Sequence, residues 1–198
     1  MKSHQLCSMQ MEYNKDDYHF FPLIMSEKLL LGAQEEEFQL NGCSIRRLQD
    51  VEKVKILDNF CGHISTKEAG VDVENVPKVD ISDWFSAFTS LEKLGKIIIV
   101  EKESLHEKNH MFAIGKIEKV CRKHVCLRYF GPDGIWDDEQ WKISYDDITS
   151  VTIGSRYAEV FSKYLPDPPA VPEKENTADG QESGECEEIP MAEEKKEV

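Results

Sequence analysis

Trp84 is followed 1, 4, 7 and 10 places later by Phe85, Phe88, Leu91 and Leu94 within "DISDWFSAFTSLEKLG", residues 80–95. One apolar stripe at that spacing predicts a helix packed on a core. Asp80 or Ser82 can serve as its N-cap, and Gly95 suits its C-terminal stop. After it the period shortens. "KIIIVEKE" (96–103) is a β-branched run, and "HMFAIGKIEKV" (110–120) and "HVCLRYF" (124–130) flank the short connection "CRK". These read as strands, two of them a hairpin. "GPDG" (131–134) is turn chemistry, in which Pro132 sets φ, Asp133 bonds locally and Gly134 allows positive φ.

"WKISYDDITSVTI" (141–153) supplies the last strands. Ile143, Ile148, Val151 and Ile153 take the inward slots, and the change of phase between Tyr145 and Ile148 predicts a sharp bend with the intervening polar residues pointing out. In "RYAEVFSKYL", Tyr157, Val160, Phe161, Tyr164 and Leu165 sit at helical spacing and predict a closing helix. One helix, five short strands and tight turns in this span give the outline of an SH3-like or Sm-like barrel.

A short internal repeat extends the pattern. "IRRLQDVEKVKI" (45–56) and "ISYDDITSVTI" (143–153) align with one gap, matching Asp50 to Asp147, Val51 to Ile148, Val54 to Val151 and Ile56 to Ile153. "LLLG" ending at Gly32 parallels "FAIG" ending at Gly115. Two related small barrels are therefore expected, over 18–79 and 80–165, after an N-terminal segment (1–17) without period that is expected to be flexible. The fold class is mainly β with short helices (α+β): one or two small SH3/Sm-like barrels and an intervening amphipathic helix. Residues 166–198 hold five of the eight prolines and no aromatic residue, and predict a disordered acidic tail.

Charge sharpens the choice of partner. The net charge of the 198 residues is −14, and more than half of it lies in the tail, which has eleven Asp or Glu against three Lys. An acidic chain repels phosphate, so protein or small-ligand partners are favoured over nucleic acid. Six scattered cysteines without a signal-like leader or a membrane-length apolar run point to thiols in a reducing cytoplasm, with no membrane association.

The stretch "IGKIEKV…CLRYFGPDGIWDDEQWKISYDDITSVTIGSRYAEVFSKYL" resembles a family of bacterial proteins with the recurring ending ITSV…SRY…FSKYL, whose activity is uncharacterised. "ISYDDITSV" is also similar to the last strands of Sm-like barrels. The first resemblance implies a bacterial source; the second implies a fold. The RNA site of Sm-like proteins usually needs an Asp followed by Asn, and "FGPDGIWDDEQW" has no Asn, which counts against oligo-U binding.

Chemistry is sparse. Cys121, His124 and Cys126 lie close in sequence, as do Cys61 and His63, but no second Cys pair completes a structural zinc set, so no metal and no cofactor is expected. The carboxylates Asp133, Asp137, Asp138, Glu139, Asp146 and Asp147 do not fit a calcium loop and read as a solvated acidic surface. No nucleotide-binding, nucleophile-elbow or metalloprotease motif is present, so no catalytic residue is assigned. A non-catalytic protein binding a protein partner through barrel loops and edges is the leading expectation. Tyr129, Trp136, Tyr145 and Arg156 are the contacts expected for it. An Sm-like RNA module would instead use Arg46, Arg47, Arg122 and Lys123. The further alternatives are an acidic decoy of a nucleic-acid-binding protein and, last, a hydrolase using the 133–147 carboxylates. Open strand edges also make a homo-oligomer an expectation.

Overall fold

The computed structural model describes residues 5–14, 16–71 and 76–169. Among them, ten strands form one antiparallel sheet. They are β1 (Cys7–Met11), β2 (Tyr18–Met25), β3 (Leu29–Glu36), β4 (Gln39–Arg47), β5 (Val51–Ile56), β6 (Ile98–Lys102), β7 (Met111–Val120), β8 (His124–Tyr129), β9 (Trp141–Ser144) and β10 (Ser150–Ile153). Three helices accompany them: α1 (Phe60–Ala69), α2 (Trp84–Leu94) and α3 (Arg156–Ser162). Strand order across the sheet is β5-β1-β2-β3-β4-β10-β6-β7-β8-β9.

That order repeats a pattern. In each half four strands run as a meander, a 3-10 turn follows the fourth, and the fifth strand returns to pair with the first. The turns are Leu48–Asp50 and Tyr145–Asp147, so the aligned segments 45–56 and 143–153 occupy corresponding places. The two glycines do not. Gly32 lies on the third strand of its half and Gly115 on the second of its own. Pairing of β4 with β10 makes the sheet continuous, with Ser150 opposite Arg46 and Ile153 opposite Cys43.

The described residues up to Pro168 form one unit. Its main core lies on one face of the central strands. Ile45, Val100, Val151 and Ile153 meet Trp84, Ala87, Phe88 and Leu91 of α2 there. The caps of α2 are local. The Asp83 carboxylate accepts the Ser86 N–H at 2.8 Å, and Gly95 closes the helix in the left-handed region. The cap is thus Asp83 rather than Asp80 or Ser82. Phe85 and Leu94, at the margins of the expected stripe, are exposed, and Ala87 is buried instead. A second cluster packs Ile97, Ile99, Ile114, Phe130 and Trp136 against Ala158, Phe161 and Leu165, so α3 closes the opposite side. Tyr157 and Tyr164 of the expected closing helix face solvent.

Two elements depart from the expectation. The segment expected to be flexible contains β1, which pairs with both β2 and β5 and buries Cys7, Met9 and Met11. Its residues are buried on both faces, so no alternation marks it. Helix α1 has no apolar stripe; it is held by Asn59, whose side chain accepts the Gly62 N–H, and by close approach of Gly62 to Leu57. The disordered tail was expected over 166–198, and residues 170–198 of it lie outside the described residues; Pro166 is tied down, accepting a hydrogen bond from Trp136 Nε1 at 2.9 Å. No helix among the described residues is long and apolar enough to cross a membrane.

Candidate ligand-binding cleft

Side chains alternate faces along a strand, so the residues between those of the main core project to the other side. On β4, β10 and β6 these are Ser44, Arg46, Ser150, Thr152, Ile99 and Glu101. The register sets Arg46 beside Ser150 and Ser150 beside Glu101. This second face is covered as well. Ser44 and Ser150 are fully buried, Thr152 nearly so, and Arg46 is only 2% exposed. The polar residues expected to point outwards do leave the main core, but they enter a second interior.

A cavity of about 810 Å³ opens over this polar stripe. Tyr13 and Tyr18 come from the β1–β2 region, Glu103 and Leu105 from the loop after β6, Phe112 from β7 and Tyr157 from α3. Arg46 forms the floor. Its Nη1 donates to Glu103 Oε2 at 2.6 Å, and its guanidinium lies 4.0 Å from the centre of the Tyr18 ring. The Tyr18 hydroxyl donates to the other Glu103 oxygen. Thr149 Oγ1 lies 3.2 Å from Glu103 Oε2 and accepts the Glu103 N–H at 2.9 Å. Arg46 Nε and Ser44 Oγ are buried without a hydrogen-bond partner.

Burial pulls the Arg46 guanidinium down, but the charge of Glu103 and the two tyrosines outweigh it and hold it above its ordinary value. Burial and then the hydrogen bond to Glu103 push Tyr18 up to about 12. Burial raises Tyr13 further still. Glu101 is raised by burial first and by the charge of Glu103 second, partly offset by the Ser150 hydroxyl, which donates to it at 3.1 Å. Glu101 makes no ion pair of its own among the described residues. The site therefore holds two carboxylates and a single buried guanidinium, which is paired with Glu103 and acts on Glu101 only at longer range, as does His110 in the cavity wall.

The contacts expected from sequence lie elsewhere. Trp136 is buried, edge-on to Phe130 at 5.2 Å. Tyr145 stacks on Phe88 at 5.6 Å, and its hydroxyl donates to the Cys121 carbonyl at 2.7 Å. Tyr129 is half-buried, its ring covered by Trp141 at 4.5 Å. All three are packing residues, because aromatic area near a turn is withdrawn into the core when a second ring is within reach. Arg156 is exposed, and its backbone N–H donates to Asn41 at 2.8 Å. Of the four basic residues, Arg46 is buried in its ion pair. Arg47 is held by Asp50, which is itself buried, and by the Asp146 carbonyl. Only Arg122 and Lys123, on the β7–β8 turn, are exposed.

Three carboxylates of the 131–147 region have structural tasks. Asp133 accepts the Ile135 N–H, Asp137 accepts the Trp141 indole N–H at 2.8 Å, and Asp147 pairs with Lys102 at 2.6 Å. Cys61 and His63 are exposed on α1, where His63 meets Asp58. By contrast, Cys121, His124 and Cys126 are brought together at the β7–β8 hairpin, with one ligand atom of each within 4.8 Å of the others. Burial, then Lys142 and Lys119, lowers the His124 imidazole below its usual value. No family model, no curated protein and no solved structure matches the chain.

Proposed function

We propose that this is a non-catalytic binding protein, built from two SH3/Sm-like barrels, whose cleft receives a cationic side chain from a basic segment of a protein partner. The repeated strand order of the two halves supports the barrel reading. One observation carries the ligand reading: Glu101, in the wall of the cleft, is half-buried next to Glu103 and has no direct ion-pair partner among the described residues, Arg46 and His110 acting on it only at longer range. A carboxylate so placed is stabilised by any ligand that brings positive charge to it. Leu105, Phe112 and Tyr157 offer an exposed apolar and aromatic rim for the stem of a lysine or arginine. The acidic balance of the chain favours encounter with a basic partner. With Arg46 and Arg47 engaged internally, two of the four residues named for RNA are withdrawn from it.

The test is fluorescence anisotropy of labelled oligo-lysine and oligo-arginine peptides against the full chain, beside an oligo-U RNA. Peptide binding is expected that weakens with salt, falls in Glu101→Gln and Tyr157→Ala, and is retained in Glu139→Gln, which removes an exposed acid outside the cleft. Equal binding by Glu101→Gln and the parent protein would place the contact on the acidic surface or tail and overturn the cleft. Retention of RNA with a steep salt dependence, and none of peptide, would favour the Sm-like reading.

A further inference from the structure

We propose that Cys121, His124 and Cys126 form a zinc site on the β7–β8 hairpin, with two thiolates, one imidazole and one coordination position open to solvent. The local fold brings the ligands together. His124 and Cys126 are two places apart on β8 and so project to the same face. Cys121 begins the turn, and its N–H donates to the His124 carbonyl at 2.9 Å, which folds it back towards that face.

The three ligand atoms lie within 4.8 Å of one another. Tetrahedral zinc with Zn–S of about 2.3 Å and Zn–N of about 2.0–2.1 Å needs ligand atoms roughly 3.5–3.8 Å apart. Closing that difference takes about 1 Å, within the reach of side-chain rotation on a fixed hairpin. Two further observations favour an ion here. His124 Nε2 is buried and has no hydrogen-bond partner, an arrangement that costs free energy until something meets it. Cys126 is buried and flanked in register by Lys119 on β7 and Lys142 on β9, so positive charge adjoins the thiol that must ionise.

The charge balances at the centre. Zn²⁺ bound by two thiolates and a neutral imidazole is neutral overall, so the flanking lysines do not oppose it. Each thiol gives up its proton to solvent, and uptake of one ion releases two protons. The fourth position is left to water, because the described residues supply only three ligand atoms there. Zinc at this place ties the turn to β8, and the rest of β8 lies in the main core through Val125 and Leu127.

The experiment uses the full chain, reduced and stripped of metal, titrated with Co²⁺ as a spectroscopic probe and then with Zn²⁺. Expected are a thiolate-to-cobalt charge-transfer band at one equivalent, its displacement by Zn²⁺, and a Zn²⁺-dependent rise in the thermal midpoint. Cys121→Ser and His124→Gln should each weaken binding by more than the ~10–100-fold typical of losing an outer-shell partner. Cys61→Ser, on α1, should leave it unchanged. Circular dichroism confirms that the variants are folded; Cys121 and His124 are only half-buried, which favours folded variants where Cys126→Ser would risk the core. Absence of the charge-transfer band, or its persistence in both Cys121→Ser and His124→Gln, would overturn the site. So would a Cys121–Cys126 disulfide whose reduction brings no metal uptake.

Discussion

Replacing Arg46 with methionine tests whether the floor of the cleft is an electrostatic unit. The side chain is 2% exposed and meets Glu103 at 2.6 Å and the Tyr18 ring at 4.0 Å. Two unit charges about 4 Å apart attract by about 4 kcal/mol at an effective dielectric of about 20. Much of that offsets the desolvation of the ions, so the pair as a whole is worth far less than its attraction. Removing one partner is a different matter. It strands Glu103 beside Glu101, two largely covered carboxylates that have lost their guanidinium, at a cost of about 3–5 kcal/mol. Loss of the cation–π contact with Tyr18 adds about 1 kcal/mol. Arg46→Met should therefore remove a large share of the ~5–15 kcal/mol typical of a folded domain.

Urea unfolding at neutral pH measures it, with Glu103→Gln and the double variant completing a cycle. Glu103→Gln should cost less than Arg46→Met, because Glu101 remains near the guanidinium to share its charge. The double variant should be more stable than the sum of the single losses predicts, by roughly 1–3 kcal/mol. Arg46→Lys should fall between, keeping the charge but losing the planar fork and the stacking on Tyr18. Arg46→Met within about 0.5 kcal/mol of the parent, or strict additivity in the cycle, would refute the reasoning, since surface substitutions stay within that range.

Other outcomes follow from single positions. Glu101 is raised in the folded state, so its contribution to stability is present below the ordinary carboxylate range and is lost as pH rises through its raised value. Glu101→Gln should therefore raise the urea midpoint at neutral pH and leave it unchanged in acid, while cationic peptide binding by the parent rises with pH across that window. The β3–β4 turn places Glu37 and Phe38 at φ 51° and 65°, a left-handed pair suited to Asn-Gly. Glu37→Asn with Phe38→Gly should gain about 1–2 kcal/mol by relieving a conformation that costs roughly 1–2 kcal/mol per residue, as read by urea unfolding. A Cβ at Gly115 would stand 1.9 Å from the Arg128 carbonyl oxygen, and one at Gly32 would meet the Phe20 ring at 2.1 Å. Backbone yields less than a side chain, so Gly115→Ala should destabilise more than Gly32→Ala, by about 3 kcal/mol or above against about 1–3 kcal/mol, in thermal melts. Tyr145→Phe should cost about 1 kcal/mol through its lost bond to Cys121 and leave peptide binding intact.

What the sequence made legible was local. The existence of α2 and its stop at Gly95, the β7–β8 hairpin, the turn at Gly134 and the bend at Tyr145–Asp147 each depend on residues within a few places of one another, and the 3-10 turn stands where the phase of "ISYDDITSVTI" changes. The cleft was not local. Arg46 meets Glu103 from 57 positions away, and Tyr18 meets Glu103 from 85. Period-2 alternation tells which residues share a face, but it cannot tell whether the far face meets water or another part of the chain. Ser150, Thr152 and Ser44 alternate correctly with Val151 and Ile45, and they are buried all the same.

The same limit applies to basic "RR" at 46–47, which in sequence offers a phosphate contact only for the alternative RNA reading, and to the aromatic residues near the 131–141 loop, which offer anchors. Adjacent residues on a strand lie on opposite sides of the sheet. Arg46 enters the interior towards Glu103, and Arg47 turns to Asp50 and the Asp146 carbonyl at the 3-10 turns. A basic pair in sequence is thus two separate anchors in the fold, Arg47 neutralised by an acid three places away and Arg46 by one that only the tertiary fold brings near. In the cleft the carboxylate left without a direct ion pair is Glu101, and on that residue the proposed binding of a cation depends.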